Sequence, residues 1–349
     1  MSWIDARRKL LELTTGRRAS NRRSATAKRG VRAHPELEPS PPPATRAPEA
    51  RPAPPRAPLR ALDPQPPRTE PPRGDAVGGV RRARSVCVAS GKGGTGKSVV
   101  SASLTHLFSL RAKTLVVDAD LGVGNAHILQ DVTPQRSFVD VVEGELPVRD
   151  VLVHCDPRVD LLAAGSGVPR MAELSSYELH MIATGLEDLE RDYGYLVVDS
   201  AAGLARQTLA FARSCDEVLL VTTPDLTAMT DAYAFLKVLT GRAPGCEPLL
   251  VVNRARSATE AQEVADRIGR VSRRFLGRAP RPIGWIPDDP LVQACVNRRG
   301  AVAALEPASP AARALARLAE SVHAELLRHE AVGAGRRLVE SLGRAAKSS

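Results

Sequence analysis

The sequence predicts an α/β fold, a mostly parallel central sheet with helices on both faces. Three observations carry this. From residue 84 onward, short apolar runs alternate with longer helical stretches, the order that builds a parallel sheet. The first run, 86–89, leads into Gly91-Lys92-Gly93-Gly94-Thr95-Gly96-Lys97-Ser98, a G-x-x-x-x-G-K-S loop, and then into a helical stretch over 99–110. Two later runs end in the carboxylates Asp118 and Asp199, and the carboxyl ends of such strands face the ligand crevice.

A G-x-x-x-x-G-K-S loop between a strand and a helix is a phosphate-binding loop. Its glycines let successive backbone N–H groups turn inward around phosphate oxygens. The helix that follows offers its positive end to the same anion. Lys97 is placed to reach the β- and γ-phosphates, and the Ser98 hydroxyl to bind Mg2+. A merely flexible glycine-rich loop would not carry Lys-Ser at this point between strand and helix.

The second lysine, Lys92, narrows the reading. Lys92-Gly93-Gly94-Thr95-Gly96-Lys97-Ser98 resembles the deviant Walker A loop of the MinD/ParA ATPases, a resemblance that runs over about 84–325. It implies a P-loop NTPase fold, ATP and Mg2+ as cofactors, and an ATP-dependent homodimer. In that dimer Lys92 would touch the phosphates bound by the partner subunit. Catalytic roles fall to Lys92, Lys97 and Asp120. After Lys97-Ser98 the family often has Thr or Asn; Val99 stands here, so one hydroxyl contact to the α-phosphate would be missing.

Taken in order, residues 1–19 place Trp3 with Leu10, and Ile4 with Leu11, seven apart on one helical face among arginines. This is a basic amphipathic helix that would meet an anionic membrane or a partner's groove, or else an unstructured terminus. The flagellar relatives of MinD carry a short N-terminal helix that engages the GTPase FlhF, and Ile4-Asp5-Ala6-Arg7 is loosely similar. Residues 20–83 are rich in Pro, Arg and Ala and cannot bury enough apolar surface to fold; they read as a disordered, semi-extended tether. The ATPase domain is expected over 84–330.

Within it the first strand is 85–89 and the next is 113–117. The latter ends in Asp118-Ala119-Asp120-Leu121-Gly122-Val123-Gly124-Asn125, which resembles the family's switch I. By that match Asp120 orients the attacking water and contacts the metal, Asp118 supports the Mg2+ shell, and Asn125 orders the loop. His127 departs from the aspartate usual in the family and reads as a surface or interface residue. A helical turn is expected over 138–142, a strand over 159–164, and a helix over about 173–191. The run 195–199 ends in Asp199, the Walker B arrangement, with Asp199 holding Mg2+ through water. Ser200-Ala201-Ala202-Gly203 resembles switch II, in which Gly203 would let a backbone N–H swing toward the γ-phosphate.

Strands follow over 217–222 and 248–252. Asn253, which in the family reads adenine, and Arg254 come next, and Pro287-Asp288 resembles the loop that closes over the base. A helix over 310–327 should cover the sheet. The basic C-terminal tail, 331–349, sets Leu338, Val339, Leu342 and Ala346 on one helical face. That face reads as a short membrane-targeting amphipathic helix or a frayed tail.

Charge sorts the functional classes. The chain carries 49 Lys+Arg and 39 Asp+Glu, a net +10, but residues 1–84 hold 19 basic and 8 acidic residues and the remainder 30 and 31. The basicity belongs to the N-terminal segment. A nearly neutral body argues against DNA as the main partner, and against the ParA-like segregation alternative. The five cysteines form no C-x-x-C pair, so neither a cluster nor a disulfide framework is implied. No run approaches the ~18 apolar residues of a membrane span, and no secretion signal is present, which points to the cytoplasm with peripheral membrane contact. The first expectation for function is a MinD-like spatial regulator of the flagellar-placement branch. The remaining alternative is a nucleotide-bound scaffold with little turnover.

Overall fold

The computed structural model describes residues 82–165 and 167–346. The helix expected over 1–19, and residues 20–81 of the tether expected over 20–83, lie outside the described residues.

Strands β1 (Arg84–Ser90), β2 (Thr114–Ala119), β3 (Leu152–Asp156), β4 (Val159–Leu162), β5 (Tyr195–Ala202), β6 (Glu217–Thr222), β7 (Leu249–Ala255) and β8 (Arg281–Pro287) form one sheet, in the order β3-β4-β2-β5-β1-β6-β7-β8. Every pairing is parallel except β3 with β4. β1, β2 and β6 are covered on both faces and buried almost throughout. This is why they read as unbroken apolar runs, not alternating ones. β3, for which the sequence raises no expectation, is a half-exposed edge. A buried carboxylate fastens it: Asp160 of β4 meets His154 Nδ1 at 2.5 Å, Tyr193 OH at 2.6 Å and Lys113 Nζ at 2.8 Å.

The helices are α1 (Lys97–Ser109), α2 (Ala126–Leu129), α3 (Phe138–Val142), α4 (Ser176–Leu189), α5 (Arg206–Ser214), α6 (Leu226–Arg242), α7 (Ala258–Leu276), α8 (Pro290–Asn297), α9 (Val302–Leu305), α10 (Pro310–Leu326) and α11 (Ala334–Ala346). The larger apolar core lies under α3 to α7 and α11; the second, on the other face, lies under α1, α9 and α10. In the second core Phe108 of α1 stacks on Tyr195 of β5, with ring centroids 4.6 Å apart. Among the described residues no helix is long and apolar enough to cross a membrane.

Two expectations are corrected. The folded body begins two residues early: Ala83 is buried, and Arg82 pairs with Glu187 and Glu190 at 3.0 and 3.4 Å. The second correction concerns the C-terminal tail. α11 is helical as its periodicity requires, but its apolar face is not free for a membrane. Ala334, Leu338 and Leu342 are buried in the larger core, and the helix packs on α4 and α5. Its approach is close enough that a side chain at Gly335 would meet the Glu187 backbone nitrogen at 2.3 Å. Gly335 N–H donates to Glu190 Oε1 at 2.5 Å, and Arg337 pairs with Asp216 at 3.0 Å. A stripe of leucines on a short helix has the same sequence signature whether it meets lipid or protein. Here two neighbouring helices supply the apolar surface.

Candidate active site

β1 delivers the chain into the phosphate loop at the centre of the sheet, between β5 and β6. Ser90 Oγ donates to the Lys92 carbonyl at 2.7 Å and closes the base of the loop. Gly94 and Gly96 take φ of 78° and 91°, the left-handed region that favours glycine. Gly91 is required for a different reason: a Cβ there would sit 2.0 Å from the Asp231 carbonyl oxygen of α6. Gly93 and Gly94 face open space. Thr95 and Lys97 are buried, Ser98 and Val99 half-buried, and Lys92 exposed. Lys92 Nζ donates to Thr227 Oγ1 in the first turn of α6, at 2.7 Å.

The carboxylates meet the loop from neighbouring strands. Asp118 of β2 lies opposite Asp199 of β5. Asp199 is buried and accepts from Ser101 Oγ at 3.0 Å. Burial raises its pKa and the Asp120 charge adds to this, against the hydroxyl of Ser98 and the charge of Lys97. Asp118 is pushed up to about 8, first by burial and then by the charge of Asp199. Its oxygens accept the N–H groups of Ala126 (3.0 Å) and Asp120 (3.2 Å). Asp118 therefore ties together the two ends of the loop over 119–126, a structural task that the sequence reading did not assign to it. Asp120 is half-buried and accepts the Val123 N–H at 3.3 Å. Asn125 is exposed at the start of α2 and its side chain makes no capping bond. The Gly203 N–H, in the stretch expected to be switch II, donates to the Ser90 carbonyl at 3.0 Å, with φ of 89°, next to Ala202 at the end of β5. A swing toward a γ-phosphate would have to break that bond.

Asn253, Arg254, Pro287 and Asp288 border a cavity of about 300 Å³ together with Gly94, Gly96 and Val99, closed on its apolar side by Ile286 and Val292. Arg254 has φ of 57° and pairs with Asp288 at 3.3 Å. The departing residue His127 is half-buried; burial and the nearby Arg299 charge lower its pKa.

The geometry fits a magnesium nucleotide. Burial raises the pKa of both Asp118 and Asp199; the Asp199 charge adds to the first and the Asp120 charge to the second, beside Lys97 and Ser98, and a divalent cation would relieve that crowding of carboxylates. Among the described residues no three His, Cys, Asp or Glu side chains form a metal cage. Mg2+ is held by one or two protein oxygens, waters and the substrate's phosphates. Ser98 and Asp199 would hold it, with Asp120 close by.

Sequence reasoning missed three contributors: Thr227, Asp231 and Ser101. Ser101 was legible, lying three residues after Ser98 on the face of α1 that meets β5. Nothing in the sequence marks Thr227 or Asp231, because α6 reaches the loop only through the fold.

A parallel sheet with a phosphate loop at its centre, and carboxylates on adjoining strand ends, defines a P-loop nucleotide hydrolase. The family described as the CobQ/CobB/MinD/ParA nucleotide binding domain matches residues 86–298. The antiactivator FleN of Pseudomonas aeruginosa is 34% identical over 247 residues, 70% of this chain and 88% of FleN. The flagellum site-determining protein YlxH of Helicobacter pylori is 29% identical over 216 residues, 61% of this chain and 73% of YlxH. The solved structure of the septum site-determining protein MinD from Pyrococcus horikoshii, complexed with Mg-ADP, has the same fold: TM-score 0.58, 24% identity, covering 69% of this chain and 96% of that one. The chain belongs to the CobQ/CobB/MinD/ParA family and is a P-loop ATPase of its MinD and flagellar-regulator branch.

Proposed function

We propose that this chain is a MinD-like switch that dimerises with ATP and sets flagellar placement or number. The observation that carries the reading is Lys92, an exposed lysine beside a complete phosphate loop, whose ammonium donates to an exposed threonine hydroxyl. A lysine serving its own loop would be buried against it, as Lys97 is. The resemblance to FleN and YlxH supports the flagellar part.

ATP binds with its phosphates in the loop and its base toward the cavity bordered by Asn253, Arg254, Pro287 and Asp288. Ser98 and Asp199 would hold Mg2+, with Asp120 close by, and the ion would supply charge neutralisation to the phosphates. Loop N–H groups and Lys97 hold the phosphate chain. Asp120 holds the attacking water in line, where position contributes most to the rate. Lys92 leaves Thr227 and reaches the phosphates of the second subunit. Glycines in both switch loops, Gly122, Gly124 and Gly203, let those loops order around the γ-phosphate and relax after its release. The dimer engages an FlhF-like GTPase or another protein through the N-terminal segment, or an anionic membrane.

Sedimentation of the full chain with Mg2+ and ATP, against ADP, tests the core of this reading. A dimer is expected with ATP only, together with steady phosphate release; a chain that stays single with both nucleotides overturns it. Cells carrying Asp120→Ala should show an altered flagellar count by electron microscopy, and an unchanged count removes the flagellar role. Pelleting with anionic vesicles, and retention on DNA, each with ATP and with ADP, sort the partners.

A further inference from the structure

The carbonyl of Thr95 lies inside the phosphate loop, where its residue is 3% exposed, and takes its donor from another element: Asn253 Nδ2 of β7, at 2.8 Å. The other end of the same amide, Asn253 Oδ1, accepts the N–H of Arg254 at 3.0 Å. One contact demands a donor and the other an acceptor, so only one orientation of the amide satisfies both. Arg254 is itself fixed, in the left-handed region with φ of 57° and its guanidinium paired to Asp288.

This arrangement acts on the peptide between Thr95 and Gly96. The peptide is planar and trans, so holding its carbonyl toward β7 turns the Gly96 N–H the opposite way. Gly96 begins α1 without a side-chain cap, and its φ of 91° leaves this peptide free to rotate if the carbonyl is released. A flipped peptide would present an oxygen to phosphate in place of a hydrogen. Gly96 has no room for a side chain either, since a Cβ would lie 2.2 Å from Asn253 Nδ2.

We infer that Asn253 is a positioning residue for the phosphate end of the nucleotide: by holding the Thr95 carbonyl, it sets the loop to present N–H groups to the phosphates. This differs from the base-reading role that the family resemblance implies. The inference rests on nucleotide binding at the loop and not on dimerisation.

Titration calorimetry with Mg2+ and three ligands, ADP, GDP and tripolyphosphate, separates the two roles in a single chain. Asn253→Asp keeps the shape but sets an acceptor against the Thr95 carbonyl. All three ligands should weaken by a common factor of about tenfold or more, the scale of one buried group left unpaired, with the ADP-to-GDP preference unchanged. Tripolyphosphate binding that survives while the preference collapses overturns the inference. Should that variant fail to fold, Asn253→Ala removes the donor without adding charge and carries the same comparison. Amide exchange over residues 91–98 in the nucleotide-free chain reads the contact without any ligand. It should accelerate about tenfold in the variant while the central strands stay protected, and unchanged exchange also overturns the inference.

Discussion

Lys92 Nζ donates to Thr227 Oγ1 at 2.7 Å, so in the single chain the exposed lysine of the phosphate loop rests against the first turn of α6. Both groups are exposed, and a neutral hydrogen-bond acceptor in water holds a lysine weakly. In the proposed dimer, a triphosphate supplied by the second subunit would outcompete it. Lys92→Ala should therefore leave ADP binding by one chain within about twofold while ATP-dependent dimerisation disappears. Turnover should fall by at least about a hundredfold, the scale of one lost charge-stabilising group. Sedimentation and phosphate release measure both, and a variant that still dimerises with ATP removes Lys92 from the interface.

Asp120 is the carboxylate left accessible near the loop, half-buried while Asp118 and Asp199 are buried. Asp120→Ala should slow turnover by about a hundredfold or more, as loss of a group that holds water in line does. The ATP dimer should then persist for longer than the wild-type dimer in a sedimentation time course. Equal turnover would take Asp120 out of the mechanism.

Gly91 has a backbone carbonyl where a side chain would go, the oxygen of Asp231 at 2.0 Å. Gly91→Ala must push the loop away from α6. Expected outcomes are a loss of about 1–3 kcal/mol in urea unfolding and weaker ADP binding in calorimetry. Gly93→Ala, with open space around it, should cost far less stability.

Glu190 joins α11 to the body: its buried carboxylate accepts the Gly335 N–H and pairs with Arg82. Burial pushes its pKa up to about 7, with the Gly335 N–H and the Arg82 charge opposing the shift. The folded chain thus keeps the Glu190 proton to higher pH than the unfolded chain does. Its contribution to stability is complete below about pH 4.5 and is lost as pH rises toward about 7. Over that window the loss is on the order of 3 kcal/mol. Glu190→Gln should flatten this part of the curve in urea unfolding at pH 5 and pH 8, and should be relatively more stable at pH 8.

Leu338, on the inner face of α11, is fully buried. Leu338→Ala should lower stability by about 2–5 kcal/mol, with a matching drop in melting temperature. A loosely attached tail would show no change.

The phosphate loop was legible because its chemistry is local. Six residues between a strand and a helix, 91–96, fix the loop's shape, and the carboxylates at strand ends are brought to it by the parallel order of the sheet. The alternating pattern predicted the sheet for the same reason: strands buried on both faces read as apolar runs. The antiparallel β3 gave no such signal, being a short, half-exposed edge fastened by Asp160. The fate of α11 was not legible either, since periodicity states that a helix has an apolar face but not what that face meets.

Alone, the sequence determined the family, the nucleotide chemistry and the place of the phosphate loop between strand and helix, because those depend on short-range spacing. Only the tertiary structure decided that Asn253 grips the loop, that Thr227 receives Lys92, and that Leu338 and Leu342 are covered by protein. Each of these joins segments far apart in the chain, and which distant surfaces meet is decided by how the helices pack on the sheet.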